Sequence, residues 1–146
     1  MTEDQLTEWP DADRPVVELS DEECWARLGE ERVGRLGYQL VDEIHVIPIN
    51  YAVVEGSLVF RTAAGGKLLA AELHSEVALE IDRFNETDAW SVLVRGRLRH
   101  LEEDEAERLA DVGDWTWVPT LKYDLIEVVP TAVTGRHFFL RGDRPA

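Results

Sequence analysis

The chain has 146 residues, with 30 acidic residues against 15 lysines and arginines and a formal net charge of −15. This length fits one domain with a sizeable core, and the acidic balance argues against nucleic acids and anionic membranes as partners, because both are recognised by basic faces. Cys24 is the only cysteine and the N-terminus lacks an apolar segment, which together predict a cytoplasmic protein without an internal disulfide.

The first residues do not resemble a folded element. Residues 1–17 are polar, acidic and interrupted by Pro10 and Pro15. This composition predicts an arm or a disordered tail ahead of a single domain over residues 18–146. Regular structure is therefore expected to start at Leu19.

A helix start follows directly. Ser20 and Glu23 give the S-x-x-E pattern of a capping box, in which side chain and backbone satisfy each other at the first turn. Leu19 can then pack on Cys24 as a hydrophobic staple. We expect a short helix that ends near Gly29.

Most of the remaining chain has the pattern of strands. The first is predicted over Val33–Leu40, and a longer one over Glu43–Val54 is apolar on both faces at its centre, so it should lie deep in the sheet. Pro48 cannot donate a ladder hydrogen bond, which implies a bulge or a locally open edge. Glu55-Gly56 predicts a hairpin turn into Ser57–Thr62.

The second half adds more strands and two short helices. Six or seven strands joined mainly by tight turns predict a mainly β fold, an antiparallel barrel with peripheral helices. The expected elements are a helix at 67–74, strands at 77–84 and 90–101, an acidic helix at 102–110, and strands at 122–129 and 132–139 around Pro130.

The segment F-R-T-A-A-G-G-K-L at 60–68 predicts an anion site. A strand runs into a glycine turn and a helix start, where unpaired backbone N–H groups favour a phosphate. Arg61, Thr62 and Lys67 add positive charge and a hydroxyl. A Walker A loop is excluded, because Arg61 stands at its first glycine and Leu68 at its hydroxyl position. The alternative is a plain glycine turn with a solvated lysine.

Two further strand segments carry weaker signals. Around Pro48, main-chain groups released from the ladder could bond a planar heterocycle, although an ordinary bulge gives the same pattern. Trp90 and Ser91 could supply a wall and a hydroxyl to a ligand, although Trp90 also suits a core position. Arg95, Arg97 and Arg99 share one face of a strand, and we expect such a stripe to pair with acidic neighbours.

No metal site is predicted from the four histidines. Neither an H-E-x-x-H pattern nor a Cys–His set is present, and no nucleophile elbow occurs. Cys24 has the character of a small core hydrophobe.

Taken together, the segments resemble the pyridoxamine 5′-phosphate oxidase-like family of flavin-binding split barrels. The resemblance covers most of residues 19–139. The matching segments, in order, are G-R-L-G at 34–37, H-V-I-P-I-N-Y at 45–51, V-F-R-T-A-A-G-G-K-L at 59–68, V-A-L-E-I-D at 77–82, W-S-V-L-V-R-G-R at 90–97 and T-A-V-T-G-R at 131–136.

The resemblance implies a homodimer of six-stranded antiparallel split β-barrels, with FMN in a cleft at the dimer interface and a small-molecule substrate. The strand around Pro48 would line the isoalloxazine through main-chain atoms, and the segment after Phe60 would hold the phosphate. Ser91 would lie near the phosphate and Trp90 beside the site. The implied cofactor-binding residues are Ile47, Pro48, Ile49, Asn50, Arg61, Thr62, Lys67, Leu68, Trp90 and Ser91.

The sequence departs from the oxidase itself. The basic and C-terminal residues that grip pyridoxal phosphate in that enzyme are missing, and Arg136 is the one C-terminal candidate. The sequence therefore predicts an FMN-dependent oxidoreductase with another substrate, with no side chain nominated as acid or base. The alternatives are a non-catalytic flavin carrier, a deazaflavin-dependent reductase, and a barrel that has lost its cofactor.

Overall fold

The computed structural model describes residues 8–62, 66–109 and 124–141, with the backbone alone for residues 66–68. These residues form seven strands and three helices. The strands are β1 (Val16–Leu19), β2 (Val33–Leu40), β3 (Glu43–Val54), β4 (Ser57–Thr62), β5 (Glu76–Phe84), β6 (Asp88–His100) and β7 (Asp124–Phe139), and the helices are α1 (Asp21–Glu30), α2 (Gly66–Glu72) and α3 (Glu103–Leu109).

The sheet closes on itself. Neighbouring strands pair in the order β1-β7-β4-β3-β2-β5-β6, and β6 pairs again with β7. Every pairing is antiparallel. The closed part is a ring of six strands, β2 to β7, with β1 added at the outside edge of β7. This confirms the predicted six-stranded antiparallel barrel with short helices.

Alternate residues of each strand fill the barrel, because side chains on a strand point to opposite faces in turn. The helices α1 and α2 lie at opposite ends of β6. α1 packs near Trp90 at the start of β6. The carbonyl of Ser75, just after α2, accepts a hydrogen bond from the N–H of Leu98 near the end of β6. Fully buried side chains of the core include Leu36, Phe60, Leu79, Val92 and Ile126.

Local signals at the start of α1 and in the second hairpin are confirmed. The Glu23 N–H donates to Ser20 Oγ over 3.2 Å, and the Ser20 N–H donates to the Glu23 carboxylate over 3.4 Å. Glu55 and Gly56 have φ of 48° and 77°. Two positive φ values match the twist of the paired strands, as in a two-residue primed turn.

Structure begins earlier than the predicted start at Leu19. Val16 and Val17 belong to β1, which begins inside the stretch assigned to the arm and pairs Val16 with Phe138. Val17 is buried, and the Phe139 N–H donates to the Pro15 carbonyl over 2.7 Å. A strand of four residues is too short to show a clear alternation of apolar and polar residues in the sequence. β1 is recognised from its pairing with the long edge of β7.

The final strand is continuous where two strands were expected. β7 passes through Pro130 because the ladder with β6 shifts there: Arg95 pairs with Ala132 and Gly96 with Pro130, which leaves Thr131 as an extra residue. The Thr131 hydroxyl donates to the Arg95 carbonyl over 3.2 Å. A bulge is a position where a strand tolerates proline. Residues 122 and 123 of the expected strand lie outside the described residues.

No helix within the described ranges has the length and apolar character needed to cross a lipid bilayer. The predicted acidic helix corresponds to α3, and residue 110 at its expected end lies outside the described residues.

Gly96 should be required by this bulge. A Cβ at Gly96 would overlap the Val129 carbonyl oxygen and approach Pro130 Cα within 3.2 Å, and both are backbone atoms that cannot rotate away. We expect Gly96→Ala to lower the free energy of unfolding by about 1–3 kcal/mol, measured by denaturant titration. At the strand glycine Gly37 a Cβ would meet its nearest atoms only at 3.7 Å. Gly37→Ala should therefore leave stability unchanged or raise it, and equal losses in both variants would contradict the explanation.

Candidate functional site

The open edge of β3 is the structural centre of the predicted site. β3 pairs with β2 without a break from Val33↔Asn50 to Leu40↔Glu43, but its ladder with β4 spans Tyr51–Val54 alone. No strand of the described residues pairs with this second edge of β3 before Tyr51. Of the two outcomes expected from Pro48, the locally open edge is therefore the one observed.

Hydrogen-bond alternation shows which main-chain groups face that edge. The Tyr51 N–H donates to the Arg32 carbonyl in the direction of β2. In an antiparallel ladder the direction alternates from residue to residue, so the main-chain groups of Val46, Pro48 and Asn50 point away from β2. Pro48 lacks an N–H at a point where the ladder with β2 needs none.

Side chains of β3 divide between two faces. Ile49 is buried in the core, and Ile47 packs against it. Pro48 and Asn50 face outward, together with Ile44 and Val46, whose side chains are 77% and 67% exposed. The expectation that β3 lies deep in the sheet is wrong for this face, because a barrel wall buries only its inner side within one chain.

β4 leaves β3 at the predicted anion segment. The last rung of their ladder joins Tyr51 to Phe60. Arg61 and Thr62 continue along β4 and pair instead with β7, Thr62 opposite Asp124. The structure thus brings Arg61 and Thr62 to the point where the open edge of β3 begins.

The centre of the glycine turn lies at residues 63–65, outside the described residues. α2 begins at Gly66, one residue before the predicted start, and ends at Glu72. The side chains of Lys67 and Leu68 also lie outside the described residues, so their assignment to the site stays a prediction.

Trp90 and Ser91 point in opposite directions. Trp90 is buried in the core, and the guanidinium carbon of Arg27 lies 5.0 Å from the centre of its ring. Ser91 is half-buried on the outer face of β6, opposite Asp82 and Arg136. It lines a surface cleft of about 690 Å³ on this outer face.

Within one chain, Ser91 does not join the other predicted residues. β3 and β6 are three strands apart whichever way the ring is followed, which at a spacing of about 4.8 Å per strand is about 14 Å. The main-chain groups of β3 at residues 46–50 and the start of the anion segment form one group, and Ser91 lies on the opposite wall of the barrel.

The arginine stripe on β6 is only partly paired. Arg97 forms an ion pair with Glu76 at 3.5 Å, and Arg99 bonds Glu105 and Glu127 at 2.8 Å each. Arg99 therefore has a structural role that ties α3 to β7. Arg95 is exposed and lines a second outer cleft of about 450 Å³ beside Ile44.

A charged triad occupies the middle of the outer face. Arg35 on β2 bonds Glu80 and Asp82 on β5, at 2.5 Å each. Burial and the neighbouring Asp82 carboxylate raise the pKa of Glu80, and Arg35 opposes this rise. The triad spans the ladder between β2 and β5, in which Arg35 lies opposite Glu80.

Sequence reasoning missed the contacts of His100, which lie at the end of α2 and the start of β7. Its ring lies between the carboxylates of Glu72 on α2 and Asp124 on β7, each 3.2 Å from a ring nitrogen. A histidine at the end of a strand pattern gives no signal of such partners, because they come from distant parts of the chain. Among the described residues, no group of three side chains is placed to hold a metal ion.

Comparisons with known proteins agree with the fold and identify a family. The family model described as pyridoxamine 5′-phosphate oxidase matches residues 20–137. The crystal structure of a candidate pyridoxamine 5′-phosphate oxidase from Corynebacterium glutamicum superposes with a TM-score of 0.80 and 34% identity, covering 91% of this chain and 100% of that one.

Two mycobacterial proteins are also similar. The structure of an FAD binding protein from Mycobacterium smegmatis has a TM-score of 0.72 and 33% identity, covering 84% of this chain and 98% of that one. An uncharacterised protein of Mycobacterium tuberculosis is 40% identical over 88 residues, which are 59% of this chain and 80% of that protein.

Proposed function

The chain belongs to the pyridoxamine 5′-phosphate oxidase family, and from this premise we propose that it binds FMN and acts as a flavin-dependent oxidoreductase in the cytoplasm. The observation that carries the proposal is the open edge of β3 next to the start of the anion segment. An edge with outward main-chain groups suits a planar heterocycle, and an arginine with a hydroxyl suits a phosphate.

The chain's own residues bind and orient in this proposal. Main-chain groups at residues 46–50 receive the isoalloxazine, while Arg61, Thr62 and Lys67 hold the phosphate. The flavin supplies the hydride or electron chemistry when it is bound. Because the outward side chains of this stretch, Ile44 to Asn50, carry no titratable group, we assign no acid or base in the protein.

Ser91 enters the same site only from a second copy of the chain. β4 and β6 both pair with β7, where Arg61 lies opposite Leu125 and Ser91 lies opposite Arg136. These positions are near opposite ends of β7, on the order of 30 Å apart along the strand at about 3.3 Å per residue, so one barrel does not place Ser91 beside the phosphate segment of its own β4. A two-fold homodimer can bring the outer face of one barrel to the open edge of the other. Exposed apolar side chains on β3 and at its preceding turn support such a contact, with Val41, Ile44 and Val46 exposed by 81%, 77% and 67%.

Val41 adds a second reason to place a partner here. It adopts φ of 58° in the turn between β2 and β3. This region is strained for a β-branched residue, and strain of this kind is retained where function compensates for it. An exposed, strained valine next to Ile44 fits a surface that is covered in a dimer.

FAD is the second candidate cofactor, favoured by one observation. The M. smegmatis structure that is 33% identical and covers 84% of this chain is that of an FAD binding protein. FAD contains the whole of FMN, so the same ring and phosphate positions would serve both. The two candidate cofactors therefore differ only in the adenylate half, which FAD has and FMN lacks.

The first experiment identifies the flavin. The purified protein is denatured, and the released ligand is examined by absorption spectrum and mass. We expect a flavin spectrum and the mass of FMN. The mass of FAD or of a deazaflavin would replace FMN by that cofactor, and a protein that neither carries nor rebinds any flavin would overturn the proposal. Reduction of the bound flavin by a nicotinamide nucleotide, with turnover on an acceptor, separates an enzyme from a carrier.

Lys67→Ala tests the phosphate contact. Removing one partner of a close charge pair costs about 2–5 kcal/mol, so the FMN dissociation constant should rise by roughly tenfold to a thousandfold or more at 1.4 kcal/mol per decade. Flavin fluorescence titration gives the constant. Arg14→Ala is the control, since it removes an exposed cation of the N-terminal segment that pairs with Glu8. A folded Lys67→Ala protein with unchanged affinity would remove Lys67 from the site.

Val46→Asp tests the dimer. A carboxylate buried in an apolar contact without a partner is strongly unfavourable, so we expect dissociation to a 16.6 kDa species in sedimentation at micromolar concentration, with loss of flavin affinity. Leu73→Asp is the matched control, because Leu73 is 65% exposed against 67% for Val46 and follows α2 instead. A wild-type protein that sediments as a monomer at this concentration would refute the dimer.

A further inference from the structure

The cleft of about 450 Å³ beside Ile44 crosses several strands of the outer face. Its floor is one rung of the sheet, in which Gly37 on β2 lies opposite Ala78 on β5. The same rung continues to Val46 on β3 and to Arg95 on β6, and residues directly opposite each other point to the same face. The rung therefore leads across the barrel wall from β3 to a cation on β6.

Small residues leave this space open. Gly37 has no side chain and Ala78 has a single methyl group. The next rungs on this face carry long charged side chains, Arg35 opposite Glu80 and Glu76 opposite Arg97. A Cβ at Gly37 would meet its nearest atom only at 3.7 Å, so packing within the sheet does not require a glycine there. The result is a depression between two rows of longer side chains.

Arg95 differs from the other arginines on this side of the barrel. Arg35, Arg97 and Arg99 each pair with at least one carboxylate. Within the described ranges, no carboxylate lies at ion-pair distance from the Arg95 guanidinium, although the chain has 30 acidic residues. The planar guanidinium offers several N–H donors in a fixed arrangement, and at Arg95 these donors are available to an external anion.

The charges that line the cleft favour a ligand with one negative charge. In the described part of the chain they are those of Arg95, Arg97 and Glu76, so two cations against one carboxylate leave one positive charge. The larger outer cleft that Arg95 also borders has the opposite balance, since two arginines there meet three carboxylates. A carboxylate matches the smaller cleft in charge and can accept two parallel hydrogen bonds from a guanidinium.

The rest of the cleft suits a flat apolar body. Ile44 at its far end is 77% exposed, and the floor at Gly37 and Ala78 consists of main chain and one methyl group. Gly37 lies two strand spacings from Arg95, about 10 Å. An aromatic acid of this length, bound through its carboxylate to Arg95, would extend over the floor toward β3, the strand to which the flavin ring is assigned.

We propose that this cleft binds the carboxylate of a flat, apolar small molecule and that this molecule is the substrate of the flavin site. Arg95 holds the carboxylate, and the small side chains of Gly37 and Ala78 make room for the body. The substrate role rests on the proposed function, because it needs a flavin at β3. The binding of the acid stands independently of the flavin.

Calorimetric titration of the full-length protein with trans-cinnamate, a flat aromatic monocarboxylate, tests the site. Cinnamamide has the same shape without the charge, and phenyl phosphate carries close to two negative charges at about pH 8. We expect cinnamate to bind more tightly than both, and more tightly than cinnamamide by about tenfold or more, because a charge-assisted pair of hydrogen bonds is lost in the amide.

Two variants locate the binding. Arg95→Gln removes the cation and Ala78→Leu fills the floor, and each should raise the cinnamate dissociation constant by about tenfold or more. Arg83→Gln is the matched control and should leave the constant unchanged. It removes the same charge from an arginine that is 68% exposed and pairs with Glu31 outside the cleft. Circular dichroism checks the fold, and if Ala78→Leu does not fold, Arg95→Gln decides.

Equal binding of cinnamate and cinnamamide, or equal cinnamate affinity in Arg95→Gln and Arg83→Gln, would overturn the carboxylate site. Tighter binding of phenyl phosphate would overturn the assignment to a monocarboxylate. The substrate role has its own measurement: in the flavin-loaded protein, cinnamate should shift the flavin absorption spectrum in wild type and, at the same concentration, not in Arg95→Gln. Cinnamate binding without that shift would overturn the substrate role alone. A protein that binds cinnamate but no flavin would overturn the proposed function and leave the carboxylate site standing.

Discussion

The long ladder between β6 and β7 is the constraint on which the rest of the fold depends. It runs from Asp88↔Phe139 to His100↔Ile126 and closes the ring. On its other edge, β7 pairs with both β4 and β1. One strand therefore connects β4, which carries the start of the anion segment, with the N-terminal strand β1 and with β6. The ladder is interrupted once, at Gly96 and Thr131, where the extra residue lets β7 bend around the barrel. A side chain at Gly96 would disturb all of these connections together.

A ring of six strands also decides how a site can be assembled. Arg95 on β6 shares an outer cleft with Ile44 on β3, but Ser91 lines a different outer cleft, so Ser91 and the open edge of β3 belong to separate surfaces of each chain. The signals that the sequence gives for one ligand lie on both surfaces. The proposed two-fold dimer would resolve this conflict with no change in either chain, because each barrel would supply an edge and a face. It would also cover the exposed apolar side chains of β3, whose pattern predicts burial without identifying the molecule that covers them.

Much of the fold could be predicted because its signals are local. The capping box of Ser20 and Glu23, the Glu55-Gly56 turn and the bounds of β2, β3 and β4 each follow from a few adjacent residues. The failures have a non-local cause. β1 exists because β7 offers an edge, and β7 continues through Pro130 because Gly96, far away in the chain, permits the bulge. For the site, the sequence identified the segment types but not the directions of side chains, which placed Trp90 inside the barrel and Ser91 outside it. The role of Lys67 stays a prediction, and the partners of His100 depend on contacts that no local pattern encodes.

The chemistry of the proposed site follows from the alternation of residues along β3. Alternation on β3 directs Val46, Pro48 and Asn50 outward and Ile47 and Ile49 toward the core, so the surface offered to a flavin ring consists of main-chain groups and uncharged side chains. A main-chain group keeps its place when the side chain of its residue is replaced, so we expect the proposed contacts to the ring to depend on the path of β3 more than on its side chains. If Lys67 on α2 holds the phosphate as proposed, flavin binding and the packing of α2 against the barrel would stabilise each other, because a ligand that binds only the folded arrangement favours it.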